Sequence, residues 1–328
     1  MAEKDMGKSS QPIAIDAAQT GGPYPLVSVI IPTYNSACYL AESLDSVLHQ
    51  SFRNFEIIVV DDGSTDNTEE VLRPYKDSIR YIKKENGGPS SARNLGIREA
   101  RGALVAFQDA DDLWLVDKLA LQVEHFRRHP EVGVVFTGSL RFNAAGVLDS
   151  NIRAGVTMPT GMIFDRLLTE HFIAMPSVMI RKSCLEEVGG FEESLIGNED
   201  FNLYLRLART YAFGFVNRIL VHIRLHQNNL SDNLEQMCED EIKNLDHISA
   251  LFPDAAIEKR KLSAQIYARF GRYYFAQRRF AQARGCFAKA LRQAPLLAQA
   301  WPFFMLSAIP HSWRNSLLTI NRLRKRTL

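Results

Sequence analysis

The stretch FEIIVVDDGSTD, residues 55–66, sets the fold class. Its first six residues are mostly apolar and β-branched, which predicts a strand that is buried on both faces. Two acids and a glycine end that strand, and a helix is predicted to follow from Asp66 to about residue 73. A buried strand, a polar turn and a helix, in this order, form the repeating unit of an α/β domain.

The same alternation recurs on both sides of this stretch. Strands are predicted over residues 27–31, 79–83 and 104–107, and helices over residues 37–50 and 90–100. The pattern predicts α/β architecture with a mainly parallel central sheet flanked by helices, and such sheets bind ligands beyond the carboxyl ends of their strands. Polar residues follow the predicted strands at those ends: Asn35, Asp61, Asp62, Asp109 and Asp111.

Length and composition limit the function classes. The chain has 328 residues, 46% hydrophobic and 23% charged, which allows one or two domains and excludes a disordered or fibrous protein. Its longest apolar runs, residues 27–32 and 301–309, are shorter than the roughly 18 residues that cross a bilayer. The first 25 residues lack the apolar segment of a signal peptide. Four widely spaced cysteines predict reduced thiols and a cytoplasmic location: Cys38, Cys184, Cys238 and Cys286.

The net charge of +2 hides a strong asymmetry along the chain. Residues 258–328 hold 15 lysines and arginines and a single acid, for a net charge of +14, whereas the rest of the chain carries −12. An acidic body with a basic tail predicts that the tail meets an anionic partner, either a membrane surface or a protein. Nucleic acid is not expected as a partner.

The acidic cluster Asp109-Ala110-Asp111-Asp112 is the first candidate site. Two carboxylates at positions i and i+2 beyond a strand end can both reach one divalent cation through oxygen ligands, and that cation would neutralise a diphosphate. An isolated pair of this kind is more often a solvated turn or a helix N-cap. Its position directly after a buried strand reverses that preference, so we predict a metal site.

Two further segments are candidates for nucleotide binding. In DDGSTD, residues 61–66, a carboxylate can accept a hydrogen bond from a base N–H, and Gly63 lets the backbone approach a ligand closely. The alternative is an Asp-Gly turn with a helix cap. In NGGPSSARN, residues 86–94, a Gly-rich bend enters a helix N-terminus that favours anions, and Arg93 can reach a phosphate. Such bends also serve as plain connections.

Six motifs occur in one order between residues 26 and 232. They are VSVIIPTYN (27–35), VVDDGSTD (59–66), GGPSSARN (87–94), FQDADDLW (107–114), NED (198–200) and RLHQNNLS (224–231). Together they resemble glycosyltransferase family 2, whose members have the GT-A fold. The resemblance implies a nucleotide-diphosphate sugar donor, transfer with inversion at the anomeric carbon, and Mg or Mn as the cofactor.

The resemblance also implies roles for individual residues on the donor side. Pro32, Tyr34 and Asp62 would border the nucleoside, with Asp62 contacting the base. Asp109 would lie near the ribose or the diphosphate. Together with Arg93, which the Gly-rich bend places near a phosphate, these four residues are the predicted nucleotide-binding set.

The remaining implied roles concern the cation and the base. Asp111 and Asp109 would ligate the metal, and His226 would help to hold the metal or the diphosphate. Asp200, at the start of a predicted helix over residues 199–209, matches the general base. Asp200 could instead be a charge at a helix N-terminus, and His226 an ordinary half-buried histidine. Ile223 departs from the family, where many relatives have Tyr, so one wall of the acceptor pocket is in question.

The predicted domain organisation has three parts. Residues 1–24 form a mobile arm, residues 25–232 the GT-A domain, and residues 233–328 a basic helical region. Within the GT-A domain, residues 139–175 are predicted to be irregular and to shape an acceptor-side loop, and residues 219–225 to form a strand. Residues 264–297 fit one tetratricopeptide-like unit, with a generic basic helical hairpin as the alternative.

The function predicted from these observations is an inverting glycosyltransferase. It would move a sugar, most simply from a UDP-sugar, to a hydroxyl of a glycan or lipid-linked acceptor in cell-surface polysaccharide synthesis, in the cytoplasm or at the inner face of the plasma membrane. A sugar nucleotidyltransferase would require a Gly-rich loop after the first strand, where PTYN stands at residues 32–35. An inactive scaffold acting through the tail would have lost the acids, which are all present.

Overall fold

The computed structural model describes residues 24–151, 157–195, 197–226, 234–255 and 257–308. The predicted N-terminal arm, apart from Tyr24, lies outside these residues. The chain divides between residues 229 and 230 into two compact units. The proposed domain boundaries and the tetratricopeptide-like unit remain predictions.

The first unit is built on a nine-stranded sheet flanked by helices. Its strands are β1 (Val27–Thr33), β2 (Phe55–Asp61), β3 (Arg80–Lys83), β4 (Leu104–Phe107), β5 (Leu113–Trp114), β6 (Val132–Asn143), β7 (Gly146–Ser150), β8 (Met179–Arg181) and β9 (Ala212–Arg224). Its helices are α1 (Ala37–Leu48), α2 (Thr68–Leu72), α3 (Gly88–Glu99), α4 (Lys118–Arg128), α5 (Phe164–Leu167), α6 (Lys182–Val188) and α7 (Glu199–Ala208). The strand order is β3-β2-β1-β4-β8-β6-β9-β5, and β7 pairs with β6.

The first four strands form the parallel half of the sheet. β1 pairs in parallel with both β2 and β4, and β2 pairs in parallel with β3. All residues of β1 from Val27 to Ile31 are fully buried, as expected for a central strand in a parallel sheet whose faces are covered by helices. The predicted α/β architecture with helices around a central sheet is confirmed.

The other half of the sheet is mixed. β8 pairs antiparallel with β4 and β6, β5 pairs antiparallel with β9, and β6 runs parallel to β9. The predicted strand at residues 219–225 is the second half of β9, which begins at Ala212. The prediction that residues 139–175 are irregular was wrong for residues 139–150, which form the β6–β7 hairpin. Gly146, with φ +121°, lies at the hairpin turn, so a glycine that suggested a loop instead reverses the chain between two strands.

Helix α3 lies close against β1. Gly96 faces Ile30, and a Cβ atom added to this glycine would lie 2.4 Å from Ile30 Cγ2. Arg93 precedes Gly96 by three residues and is therefore on the same side of the helix. The close approach at Gly96 consequently sets the depth at which Arg93 enters the molecule.

The second unit is helical in its described residues. Its helices are α8 (Leu234–Leu251), α9 (Lys259–Ala276), α10 (Phe280–Gln293) and α11 (Trp301–Ala308). Small and aromatic residues of α9 and α10 form a buried cluster, and a Cβ added at Gly271 in α9 would lie 2.8 Å from the ring of Phe287 in α10. The two helices therefore pack closely along their length.

The described residues contain neither a disulfide nor a helix suited to span a membrane. None of the four cysteines, all within the described residues, is in a disulfide. Among the described helices, none combines the length and the apolar character that crossing a membrane requires.

The packing of α3 on β1 predicts opposite effects for two alanine substitutions. Gly96→Ala forces its new methyl group against Ile30 and should destabilise the chain by about 1–3 kcal/mol, the usual cost of overpacking. Gly285→Ala is the matched control, because Gly285 is an exposed residue of α10 with no heavy atom within 4 Å of a new Cβ. It should stabilise its helix by about 0.5–1 kcal/mol through helix propensity. Thermal unfolding followed by circular dichroism measures both, and equal gains in the two variants would contradict the packing argument.

Candidate active site

The loops that follow β1 and β2 are fastened to each other. Asn35 adopts the left-handed conformation, with φ 50°, which an asparagine tolerates better than most residues. Its side-chain Oδ1 accepts hydrogen bonds from the backbone N–H groups of Thr65 (2.8 Å) and Asp66 (3.3 Å). Its own N–H donates to Ser64 Oγ at 3.0 Å. These hydrogen bonds join the two loops directly at the edge of the sheet.

The three residues predicted to border a nucleoside lie at this edge. Pro32 is partly buried near the end of β1, and Tyr34 just beyond that end is 49% exposed. Thr33, between them, accepts a hydrogen bond at its carbonyl from the N–H of Asp62 at 2.9 Å. The structure therefore brings Pro32, Tyr34 and Asp62 together at the adjoining ends of β1 and β2.

The carboxylate of Asp62 fills the N-terminus of α3. It accepts hydrogen bonds from the backbone N–H groups of Gly87 (3.0 Å) and Gly88 (2.7 Å) and from Lys84 Nζ (2.6 Å). The Gly-rich bend thus holds an anion, as its sequence indicates, but that anion belongs to the chain itself. The sequence interpretation missed Lys84, although its place directly after β3 puts it at the same edge of the sheet.

Arg93 bridges two carboxylates that are far apart in sequence. Its terminal nitrogens lie 2.9 Å from Asp109 Oδ1 and 2.7 Å from Glu199 Oε1, and its guanidinium lies over the ring of Phe191. The residue is 6% exposed, and the two carboxylates raise the pKa of its guanidinium despite burial. The guanidinium predicted to meet a phosphate therefore binds carboxylates in this structure. Glu199 was not among the predicted site residues.

The three acids after β4 point to different partners. The carboxylate of Asp109 pairs with Arg93. Asp111 Oδ2 lies 2.9 Å from His226 Nε2. Asp112 accepts a hydrogen bond from the backbone N–H of Arg224 at 2.8 Å. Burial and the nearby charge of Asp109 raise the pKa of Asp111, and the hydrogen bond with His226 opposes that shift. Burial and the two neighbouring acids raise the pKa of Asp112 well above its ordinary value. Negative charge therefore accumulates at this strand end.

The end of β9 is held against α1 and the acidic turn. The ring of His226 stacks on Tyr39 with 4.8 Å between centroids, and the guanidinium of Arg224 lies 5.2 Å from the centroid of the same ring. Arg224 also donates to the carbonyl of Asp111 (2.9 Å) and to Glu42 (2.6 Å). Tyr39 and Glu42 were missed in the sequence, where only their spacing of three residues on a predicted helix indicates a shared face.

Asp200 lies in the first turn of α7, where the sequence predicts it. The helix follows Asn198, whose φ is 58°, and the Oδ1 of Asp200 accepts the N–H of Phe201 at 2.7 Å. Burial, and then the negative charge of Glu199, raise the pKa of Asp200 to about 7, while Arg93 acts in the opposite direction. A carboxyl with this pKa can exchange a proton near neutral pH.

The residues at the acidic turn fit a divalent cation in chemistry and only partly in arrangement. Within the described residues, no three His, Cys, Asp or Glu side chains are placed so that they could hold a metal ion. Asp111 and His226 do lie together, and oxygen and imidazole donors suit Mg or Mn. Burial first, and then the charge of Asp109, raise the pKa of Asp111, and a bound cation would favour its ionised form. Asp109 faces Arg93 and would have to share its carboxylate.

Comparison of the sequence with known proteins identifies the family of the chain. The model of the family described as glycosyl transferase family 2 matches residues 28–189. The putative teichuronic acid biosynthesis glycosyltransferase TuaG of Bacillus subtilis is 36% identical over 217 residues, which cover 64% of this chain and 82% of TuaG. An uncharacterized glycosyltransferase of Rickettsia bellii is 33% identical over 222 residues, covering 66% of this chain. The chain spans between 32% and 64% of the length of this protein and its other Rickettsia relatives.

Solved structures share the fold. Residues 1–349 of TarS from S. aureus, in complex with UDP-GlcNAc, match with a TM-score of 0.63 and 21% identity, over 88% of this chain and 92% of that one. The mannosyltransferase PcManGT of Pyrobaculum calidifontis, in complex with GDP-Man and Mn²⁺, matches with a TM-score of 0.57 and 21% identity, over 89% and 84% of the two chains. The architecture is that of the GT-A fold followed by C-terminal helices, and the chain belongs to glycosyl transferase family 2.

Proposed function

We propose that the chain is an inverting glycosyltransferase that moves a sugar from a UDP-sugar to a hydroxyl of a glycan or lipid-linked acceptor. One observation carries this proposal. Arg93 joins Asp109, in the acidic turn, to Glu199, the neighbour of Asp200, over a sequence separation of 90 residues. The acids assigned to the donor side and the acid assigned as base are thereby brought to one place.

The chemistry of inversion needs a single base. The acceptor oxygen forms a bond to the anomeric carbon while the bond from that carbon to the diphosphate oxygen breaks, and the acceptor proton passes to the base. Glu199 is held in an ion pair with Arg93, whereas burial raises the pKa of Asp200 to about 7. A base with a pKa near the working pH combines availability with proton affinity, which favours Asp200 for this role.

The donor nucleotide would lie at the ends of β1 and β2. The exposed ring of Tyr34 and the partly buried Pro32 offer an apolar border for a nucleoside. Asp62 is positioned by Lys84 and by the N-terminus of α3, so its carboxylate is fixed in place for a base contact. The complex of TarS with UDP-GlcNAc supports a uridine donor by analogy of fold.

A divalent cation would be held by Asp111 and His226, with Asp109 as a further ligand. The Mn²⁺ complex of the mannosyltransferase supports this assignment by analogy. When bound, Mg or Mn would neutralise the diphosphate and so make it a better leaving group. Arg93 and Arg224 would keep the acids around the cation in place.

The acceptor and the cell compartment are proposed from the relatives and the thiols. Relatives named for polymer synthesis, TuaG and the chondroitin synthase of Escherichia coli, support a role in surface polysaccharide synthesis. Four cysteines outside disulfides support the cytoplasm or the inner face of the plasma membrane as its location. A sugar nucleotidyltransferase is disfavoured, because β1 runs into Asn35 and Ser36 without a Gly-rich phosphate loop.

Binding of UDP should depend on the cation. Titration calorimetry of the full chain with UDP should show at least a tenfold weaker affinity when a chelator replaces Mn²⁺, because the acids would otherwise repel the diphosphate. Asp111→Asn should abolish most of this difference. Asp165→Asn in α5 is the control and should keep the full dependence on Mn²⁺. Equal UDP affinity with and without chelator would exclude the cation from donor binding.

Replacing the proposed base should separate binding from transfer. In Asp200→Asn, the rate of UDP release from the preferred UDP-sugar, with water or a supplied acceptor, should fall roughly 10²-fold or more, while donor affinity stays nearly unchanged. In the unmodified chain the rate should fall as the pH drops below about 7, because Asp200 then takes up a proton. Glu186→Gln in α6 serves as the control. Unchanged turnover in Asp200→Asn would remove this residue from its role.

The raised pKa of Asp200 also predicts a cost in stability. Its folded-state pKa of about 7 lies above the ordinary 3.8, so ionising it in the folded chain is unfavourable and stability falls as the pH rises through this range. Asp200→Asn escapes that loss. The free energy of unfolding of the variant, relative to that of the unmodified chain, should rise by about 2–3 kcal/mol from pH 5 to pH 8. Denaturant unfolding at both pH values measures the difference, and a gain that does not grow with pH would contradict the shift.

A further inference from the structure

Helix α11 exposes an apolar face. Of its eight residues, WPFFMLSA, the one polar residue is Ser307, which is buried and donates its hydroxyl hydrogen bond to the carbonyl of Phe304 at 2.7 Å. Trp301 and Met305, one turn apart, are 45% and 61% exposed. The usual arrangement of a surface helix, with polar residues outward and apolar residues inward, is therefore reversed at the outer face.

The orientation of α11 is fixed by packing inside the second unit. The ring of Phe303 lies 5.3 Å from that of Phe275 in α9 and stacks at 5.6 Å on that of Phe287 in α10. The indole N–H of Trp301 donates to the carbonyl of Pro295 at 2.9 Å, next to Leu296, which is 96% exposed. We call the exposed residues Leu296, Trp301 and Met305 the α11 face. Its exposure follows from the aromatic contacts on the opposite side of the helix.

The same unit carries a strong positive charge around this helix. Residues 259–308 contain ten lysines and arginines and no acid. On α10, which packs against α11, the side chains of Arg284, Lys289 and Arg292 are exposed. None of these three forms an ion pair with a carboxylate among the described residues. The acids among the described residues of this unit lie in residues 235–258, in α8 and the turn after it. Three of them pair with bases of α9, namely Asp246 with Lys259, Glu258 with Lys261 and Glu241 with Arg269.

We propose that the α11 face, together with the bases of α10, binds the surface of an anionic lipid membrane. The apolar side chains would enter the boundary between headgroups and acyl chains, and the bases would meet the headgroup phosphates. Each base near such a surface raises the partition coefficient roughly fivefold, so three of them contribute substantially alongside the apolar contact. An acidic protein surface is the alternative partner, and the vesicle experiment below distinguishes the two. This surface is independent of the transfer chemistry proposed above.

The test uses the full chain and vesicles of two compositions in a flotation assay. The chain should float with vesicles of phosphatidylcholine and phosphatidylglycerol (7:3) at low salt and should bind pure phosphatidylcholine at least tenfold more weakly. Raising the salt to 0.5 M should weaken binding, because it screens the bases. Failure of the full chain to bind the anionic vesicles at low salt would overturn the proposal and favour a protein partner.

Substitutions locate the surface. Met305→Ser and the triple change Arg284→Gln, Lys289→Gln, Arg292→Gln should each reduce vesicle binding at least fivefold. Met162→Ser is the matched control for the first, since Met162 in the other unit is 63% exposed, and Arg73→Gln, Lys76→Gln, Arg127→Gln is the control for the second. All of these side chains are exposed or remote from the cores, so the variants should fold. Equal binding by the Met305 variant and its control would overturn the assignment to α11.

A truncation separates the surface from the chain that follows it. Residues 309–328 add five bases and no acid, and they could produce lipid binding by charge alone. A chain ending at Ala308 should retain binding that Met305→Ser still weakens. Complete loss of binding on this truncation would contradict the proposal, because the α11 face would then contribute nothing by itself.

Discussion

The bridge from Arg93 to Asp109 and Glu199 is the interaction on which the rest of the site depends. The guanidinium of Arg93 is nearly buried and lies between two carboxylates, that of Asp109 beyond β4 and that of Glu199 at the start of α7. Arginine suits this position because its planar fork donates in two directions and keeps its charge in a buried site. Removing one partner of a buried ion pair typically costs about 3–5 kcal/mol. Without Arg93, two carboxylates would share a buried region with no cation between them.

The packing of α3 determines where this bridge forms. At one end of the helix the carboxylate of Asp62 binds the N–H groups of Gly87 and Gly88. One turn beyond Arg93, the bare Cα of Gly96 allows the helix to approach Ile30 in β1. A helix fastened at both places holds its arginine in a fixed position, and binding and catalytic sites in general depend on side chains that are positioned before the ligand binds. The packing of the backbone and the electrostatics of the candidate site are therefore linked through α3.

The features predictable from sequence are those that depend on local pattern. The parallel strands follow from short apolar runs, and the acids at their ends follow from polar residues placed directly after those runs, as with Asp62 and Asp111. The hairpin of β6 and β7 was misjudged because glycine marks both irregular loops and tight turns, and only strand pairing distinguishes them. The side chains that contact these site residues could not be predicted from the sequence. Lys84 reaches Asp62 and Glu199 reaches Arg93 only through tertiary contacts, which no spacing in the sequence encodes.

Charged side chains are arranged differently in the two units. At the acidic turn of the first unit, the carboxylates of Asp109 and Asp111 have partners within the chain, Arg93 and His226. In the second unit, Lys259, Lys261 and Arg269 of α9 pair with nearby acids. The exposed bases Arg284, Lys289 and Arg292 of α10 form no ion pair among the described residues, so their field extends into the solvent. Such a field acts over about a Debye length, roughly 8–10 Å at physiological salt, whereas the α11 face acts only on contact. The bases would therefore increase the rate of encounter with an anionic surface, and the apolar side chains would slow departure from it. Electrostatic attraction and apolar contact, each weak by itself, would together attach the chain to the membrane more stably than either alone.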